Sequence, residues 1–206
     1  ARLRKMRDAD AENRMILDAI RLKKESAVLE IGMGTGAFAR AAAKVCAHVT
    51  ALDVSTMMID YASSKAREEK LENIDFYHAG FLSFDYPPQA YDAVVTGMAL
   101  HHLPDVWKMV ALEKIFSSLK AGGFFYLLDV VFDWGNGSPE EYFQRIIESE
   151  FEARPNLSRH ISQEFSTTGW IMTGLLTRAG FIIESDVQSR GFLRSYCCRK
   201  PEKSRF

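Results

Sequence analysis

The stretch Val28-Leu29-Glu30-Ile31-Gly32-Met33-Gly34-Thr35-Gly36-Ala37-Phe38-Ala39-Arg40 decides how this chain is read. An apolar run holding one acidic residue breaks into glycines on alternate positions and then turns alanine-rich. That pattern predicts a strand, a tight loop and a helix. Gly32, Gly34 and Gly36 carry no Cβ, so the loop is free to take conformations closed to other residues and a ligand can lie against bare backbone. The helix, expected over Thr35 to Cys46, aims unpaired N–H groups into the same space. A nucleoside-containing ligand suits such a place.

Outward from this segment, strand character at Ala27 to Ile31 recurs at His48 to Asp53, Ile74 to His78, Tyr91 to Thr96 and Gly123 to Val131. Helical stretches at Met57 to Glu69 and Asp105 to Leu119 lie between them, and this alternation predicts a parallel sheet covered on both faces. Before the first strand, Met15, Ile16, Ala19 and Ile20 sit at helical spacing within Asp10 to Lys24, so an amphipathic helix should pack on the sheet edge. Lys120-Ala121-Gly122-Gly123 reads as a turn that ends a helix in glycine. Ser138 is placed as an N-cap before Pro139, Glu140 and Glu141, opening a helix that runs to about Glu152. Pro155 to Phe165 reads as irregular and Thr168 to Arg178 as helical; Phe181 to Val187 and Gly191 to Arg199 form two strands with a turn at Gln188 to Arg190.

A chain of 206 residues suits one domain. Its 26 basic and 27 acidic residues nearly cancel, so no global field gathers nucleic acid or an anionic membrane. Cys197 and Cys198 are adjacent in an expected strand, where they point to opposite faces, and Cys46 stands far away. This predicts reduced thiols in a cytoplasmic protein and no zinc pairing. The start is crowded with Arg2, Arg4, Lys5, Arg7 and Asp8, where a secretory peptide needs an apolar stretch, and no apolar run reaches the length of a membrane span.

The glycine spacing leaves the ligand open, because Gly32-x-Gly34-x-x-Ala37 also satisfies the looser dinucleotide fingerprint. The rest of the chain narrows the choice. Val28 to Gly36 resembles the first motif of the class I S-adenosylmethionine-dependent methyltransferases, an acidic residue followed by G-x-G-x-G. Ala51 to Met58, Ala79 to Phe84, Tyr91 to Leu103 and Leu119 to Leu128 resemble the same family in order. The resemblance implies an α/β fold with a doubly wound, mostly parallel seven-stranded sheet, helices on both faces and a C-terminal antiparallel hairpin. It implies S-adenosylmethionine as cofactor and S-adenosylhomocysteine as product. The chain begins at Ala1 rather than methionine, which reads as a trimmed start where relatives carry a cofactor-covering segment.

By the same resemblance, Glu30 lies near the methionine part of the cofactor, beside the loop of Gly32, Gly34 and Gly36. Asp53 accepts from the ribose hydroxyls; Val54 and Met58 flank adenine or ribose, and Thr96 completes the set on the fourth strand. Gly80 and Phe81 belong to the adenine end. Many relatives carry an acidic residue at the Gly80 position, and here adenine is left to the Phe81 N–H and apolar contacts. The residues also have plainer readings: Asp53 as a helix N-cap, and Val54 and Met58 as core.

His101 and His102 follow the fourth strand, close to where the methyl group emerges, and are the candidate catalytic residues should the acceptor have to lose a proton. The pair is widespread in the family across unrelated substrates, which equally fits a framing role. The domain divides into an N-terminal helix (1–26), a cofactor-binding core (27–131), an acceptor-lid insertion (132–166) and a C-terminal helix and hairpin (167–206). His160, Trp134, Phe132, Tyr142, Phe143 and Trp170 are its acceptor-side candidates, or else the core of an added helical layer. Asp129 and Asp133 suggest a magnesium pair, but two carboxylates do not specify a metal, and none is expected.

Thr96-Gly97-Met98-Ala99 stands where amino-group methyltransferases of nucleic acid carry an Asn-Pro-Pro-Tyr type motif, and no basic-aromatic stripe is present. A small-molecule acceptor is therefore expected, with no nucleic-acid or membrane partner and no oligomeric state assigned. The alternatives are a non-catalytic S-adenosylmethionine-binding protein and an NAD(P)-dependent oxidoreductase.

Overall fold

The computed structural model describes residues 9–150 and 163–202. The expectations for His160 and for most of Pro155 to Phe165 lie outside those residues. The elements run α1 (Ala9–Ala19), β1 (Ala27–Ile31), α2 (Ala37–Ala43), β2 (His48–Asp53), α3 (Thr56–Glu68), β3 (Ile74–His78) and β4 (Tyr91–Gly97). A 3-10 turn at Leu100–His102 follows, then α4 (Asp105–Ser118), β5 (Leu119–Phe132), α5 (Pro139–Glu150), β6 (Thr167–Thr168), α6 (Gly169–Arg178), β7 (Ile182–Ser189) and β8 (Leu193–Arg199).

The sheet order is β3-β2-β1-β4-β5-β8-β7, with two-residue β6 beside β5. The first five strands pair in parallel, while β8 runs antiparallel to both β5 and β7. The expected seven strands form the main path, and β6 adds an eighth. Residue alternation explains why both faces are covered: Val28, Val49, Ala51, Ala93 and Val95 enter one apolar cluster with Ile16, Phe38, Ala39 and Ala62 from α1, α2 and α3 and with Ile20 just past the end of α1. Leu29, Ile31, Leu52 and Val94 enter the other, with Leu112 and Ile115 from α4 and Met172 and Leu176 from α6. Each fully buried Leu, Ile or Met adds roughly 1.5–3 kcal/mol.

Strand order reverses between β1 and β4, which leaves a crevice beyond their carboxyl ends. There the Thr96 hydroxyl donates to the Ile31 carbonyl at 2.8 Å, tying the two strands together at the mouth.

Three local expectations are corrected. The Lys120–Gly123 segment does not end a helix in glycine: α4 stops at Ser118 and the segment already belongs to β5. Gly122, at φ +76°, donates to Lys200 O at 3.0 Å, opposite a register shift between Tyr91 and Ala93, so the glycine serves a bulge that the last strand pairs across. Helix α1 ends at Ala19, and Arg21 turns the chain at φ +50°. The terminal hairpin turns slightly later than expected, at Arg190 and Gly191, both at positive φ. Among the described residues no helix is long and apolar enough to cross a membrane.

Candidate active site

The glycine loop is pinned before any ligand arrives. The N–H groups of Gly32 and Met33 both donate to Leu52 O at 2.9 Å, so the loop is tied to β2. At Gly32, φ is +73° and a Cβ would stand 2.5 Å from Ala99 Cβ, so glycine answers both the conformation and the crowding. Regular helix α2 spans only Ala37–Ala43, shorter than expected.

Asp53 is buried and holds two backbone groups at 2.8 Å: its Oδ2 accepts from Gly34 N–H and its Oδ1 from Ser55 N–H. It does not cap α3. Ser55 does, accepting from Met58 N–H at 3.4 Å. The carboxylate therefore links the glycine loop to the start of α3 and faces the crevice with its remaining lone pairs.

A cavity of about 470 Å³ opens beside it. Ile31, Gly32 and Gly34 form one wall, Asp53 and Val54 a second, Ala79 to Ser83 a third, and Met98, Ala99, His102 and Leu103 the fourth. Of the residues singled out in the sequence, Gly32, Gly34, Asp53, Val54, Gly80, Phe81 and His102 line this space. Glu30, Gly36, Met58, Thr96 and His101 do not. Gly36 instead caps α2, where a Cβ would meet Ala62 Cβ at 2.8 Å. Met58 is half-buried on α3, and Thr96 forms the strand tie described above. Met98 and Leu103 were missed from sequence, and Met98 does carry a signal only the backbone reveals: a non-glycine φ of +56°.

Glu30 points to the opposite face of β1 and is 7% exposed. Among the described residues its Oε2 has no hydrogen-bond partner, and its pKa is pushed up to about 8, first by burial and further by Asp53, against the Ala39 N–H and Arg40.

The two histidines separate. His101 is buried, and Asp129 of β5 accepts from both its backbone N–H, at 2.9 Å, and its ring Nδ1. Its Nε2 lies 3.7 Å from Glu164 Oε2. Burial depresses its pKa, but the hydrogen bond and charge of Asp129 and the charge of Glu164 outweigh that and leave it raised. His102 is exposed and lines the cavity; burial of part of its ring and the neighbouring His101 lower its pKa.

Glu164 reaches this place because its segment is stitched down. Phe165 N–H donates to His101 O at 2.9 Å, buried Lys108 donates to Phe165 O and to Asp105 Oδ1, and Thr167 donates to Asp105 Oδ2 at 3.2 Å. Asp129 and Asp133 do not share a ligand position: the first serves His101 and the second Arg194. The aromatic residues resolve toward a packed layer, with Phe132, Tyr142 and Phe143 in mutual contact at centroid distances of 4.9 to 6.4 Å. Trp134 packs on the same group, whereas Trp170 is 76% exposed on a separate groove with Asp133 and Arg194.

A family model described as a methyltransferase domain matches residues 28–123. An uncharacterised methyltransferase of Geobacillus sp. strain WCH70 is 31% identical over 181 residues, covering 86% of this chain and 79% of that protein. The solved structure of YcgJ from Bacillus subtilis is similar at a TM-score of 0.73 and 17% identity, over 94% of this chain and 100% of that one. Phosphoethanolamine N-methyltransferase 2 of Haemonchus contortus, solved with phosphomonomethylethanolamine and S-adenosylhomocysteine, is similar at a TM-score of 0.73 and 18% identity, over 93% of this chain and 52% of that one.

Proposed function

This chain belongs to the class I S-adenosylmethionine-dependent methyltransferases and is an enzyme of methyl transfer, and from that premise we propose that its acceptor is a small organic molecule. The observation that carries the proposal is the cavity of about 470 Å³, which runs from the glycine loop and Asp53 past Gly80 to His102. Its walls are mostly apolar, with a few polar groups to orient a ligand. The near-cancelled charge offers no steering for nucleic acid. The Haemonchus relative in fold acts on a small phosphorylated amine, which supports the same class. Family membership sets aside the oxidoreductase reading.

Two features fit the cofactor. Among the described residues nothing stands within 4 Å of where a Cβ on Gly34 would project, so bare backbone faces the ligand. Glu30, off the cavity wall but with an Oε2 that has no hydrogen-bond partner among the described residues, is the carboxylate left for the ammonium end of the methionine part. Asp53 takes the ribose hydroxyls with lone pairs left by Gly34 and Ser55. Val54 flanks the nucleoside on the α3 side while Met58 stays off the cavity wall, half-buried on α3; Thr96 holds the strand ends in register, and Gly80 and Phe81 bracket adenine.

When bound, S-adenosylmethionine supplies an electrophilic methyl group on a sulfonium. The chain's task is then to align the acceptor and keep out water. Leu82, Met98 and Leu103 provide apolar wall, and His102 meets the acceptor where it enters. His101, turned into Asp129, is a positioning residue. Residues 132–166 form the acceptor-side insertion of a single domain spanning 1–206, and the stitched end at Phe165 and Thr167 supports that division. Three free, buried cysteines fit the reducing cytoplasm.

Calorimetry should show saturable binding of S-adenosylmethionine and S-adenosylhomocysteine and none of NAD. Saturable NAD binding with no response to either sulfur nucleoside would sink this assignment. A methylation screen with labelled cofactor over small metabolites and over RNA then tests the acceptor class, and methylation of RNA alone would overturn it.

Gly80→Asp restores the acid that many relatives place at the adenine end. Gly80 does not need a positive φ, and among the described residues the only atom crowding a new Cβ is Val54 Cγ1 at 2.8 Å, on a side chain 71% exposed and able to turn. A hydrogen bond to the adenine amino group adds about 0.5–1.5 kcal/mol, so roughly 2- to 12-fold tighter binding is expected. The inosine analogue, which carries a carbonyl there, should not share the gain. A folded mutant with no preference for adenine over inosine would remove Gly80 from the adenine end.

A further inference from the structure

We propose that His101, His102 and Glu164 form a binding site for a divalent first-row transition-metal ion, with zinc the ion to which the donors are best matched. The site goes beyond the cofactor cavity, which it touches only through His102. Each of the three residues offers one ligand atom, and these atoms all lie within 4.8 Å of one another. The His101 Nε2 to Glu164 Oε2 separation is 3.7 Å. Ligand atoms on a tetrahedral zinc, with bonds of about 2.0 Å, stand roughly 3.3 Å apart, so modest side-chain adjustment closes the set. Two imidazoles and one carboxylate suit zinc, iron or cobalt and leave a coordination position open, whereas magnesium prefers oxygen donors throughout.

The surroundings of His101 are those a metal ligand requires. Asp129, itself wholly buried, takes the ring Nδ1 and the backbone N–H of His101 together. This fixes the tautomer and turns Nε2 toward Glu164 and His102, the arrangement by which an outer carboxylate orients a ligating imidazole. The two rings stand with centroids 4.2 Å apart and planes tilted by 50°. Glu164 is delivered by a segment fixed on three sides: to His101 O through Phe165 N–H, to Lys108 through Phe165 O, and to Asp105 through Thr167. An ion triad of Asp129, His101 and Glu164 would explain the two carboxylates but not the ligand atom of His102 within 4.8 Å of both other donors. An ion there sits at the acceptor end of the cavity and favours acceptors with an oxygen donor.

The test uses tag-free full chain stripped with a chelator. Zinc is titrated by calorimetry, cobalt by its visible d–d absorption, and magnesium serves as the discriminating control. One equivalent of zinc and of cobalt should bind, and magnesium should not saturate. His102→Ala and Glu164→Gln should each weaken zinc at least tenfold and remove the cobalt signal. His48→Ala, at a surface ion pair with Asp75, should leave both unchanged. Circular dichroism confirms folding; His102 is exposed, so its variant remains informative if the Glu164 variant does not fold. Absence of saturable zinc binding, or binding that is unchanged in either folded variant, overturns the site. S-adenosylhomocysteine binding in the same samples separates the outcomes, because its persistence without metal binding ends this proposal and leaves the methyl-transfer assignment standing.

Discussion

Gly32→Ala should lower the unfolding free energy by about 2–4 kcal/mol and abolish S-adenosylhomocysteine binding. Two independent costs meet at this position. Gly32 has φ +73°, and alanine in that region costs about 1–2 kcal/mol. Its Cβ would also stand 2.5 Å from Ala99 Cβ, and neither backbone can retreat. On one side, Gly32 and Met33 are held by Leu52 O at 2.9 Å; on the other, Met98 N–H is held by Leu128 O at 2.7 Å. Since Gly32 lines the cofactor cavity, any loop shift that relieves the clash deforms the cavity wall. Denaturant unfolding and calorimetry measure the two effects. Adding Ala99→Gly should recover the crowding cost and leave the backbone cost, so a double mutant no more stable than Gly32→Ala would show that the contact with Ala99 is not the cause.

Asp53→Ala should weaken S-adenosylhomocysteine about 100-fold, equivalent to about 2.7 kcal/mol. The carboxylate does more than meet the ribose. It accepts Gly34 N–H and Ser55 N–H at 2.8 Å each, so its removal also unties the glycine loop from the start of α3. Charge-assisted bonds of this kind are worth about 1.5–3 kcal/mol apiece, part of which is loop order that the cofactor must then supply. Asp53→Asn keeps one acceptor oxygen and should fall between the two. A folded alanine variant with an unchanged dissociation constant would leave Asp53 a purely structural residue.

The candidate site was partly legible in the chain. Gly32, Gly34 and Asp53 were readable because they sit in short segments where backbone conformation or one side chain at a strand end does the work, whereas Val54, Gly80 and Phe81 were reached through the family resemblance. His102 could be named but not told apart from His101, since adjacent residues differ only in what the fold places around them. Asp129 takes one ring away from the cavity, while the other remains on its wall. Glu30 was identified by type, but its neutralising burial and missing partner belong to the packed sheet. Phe132, Tyr142 and Phe143 left two readings open in the sequence, an acceptor wall or the core of an added layer, and their mutual ring contacts, made between β5 and α5, favour the second.

Local rules by themselves determined the strand and helix alternation, the edges of β1, β2 and β3, the glycine loop and the terminal hairpin. Each depends on residues within a few positions, where periodicity, missing Cβ atoms and capping preferences act directly. Only the tertiary structure decided that Lys120–Gly123 becomes a bulged strand start, because the partner at Lys200 arrives from the end of the chain. It alone brought Glu164 against the histidine pair, through a stitch between α4 and the segment before β6. Such contacts join residues far apart in sequence, and the free energy that selects them comes from buried charge and packing that no local window contains.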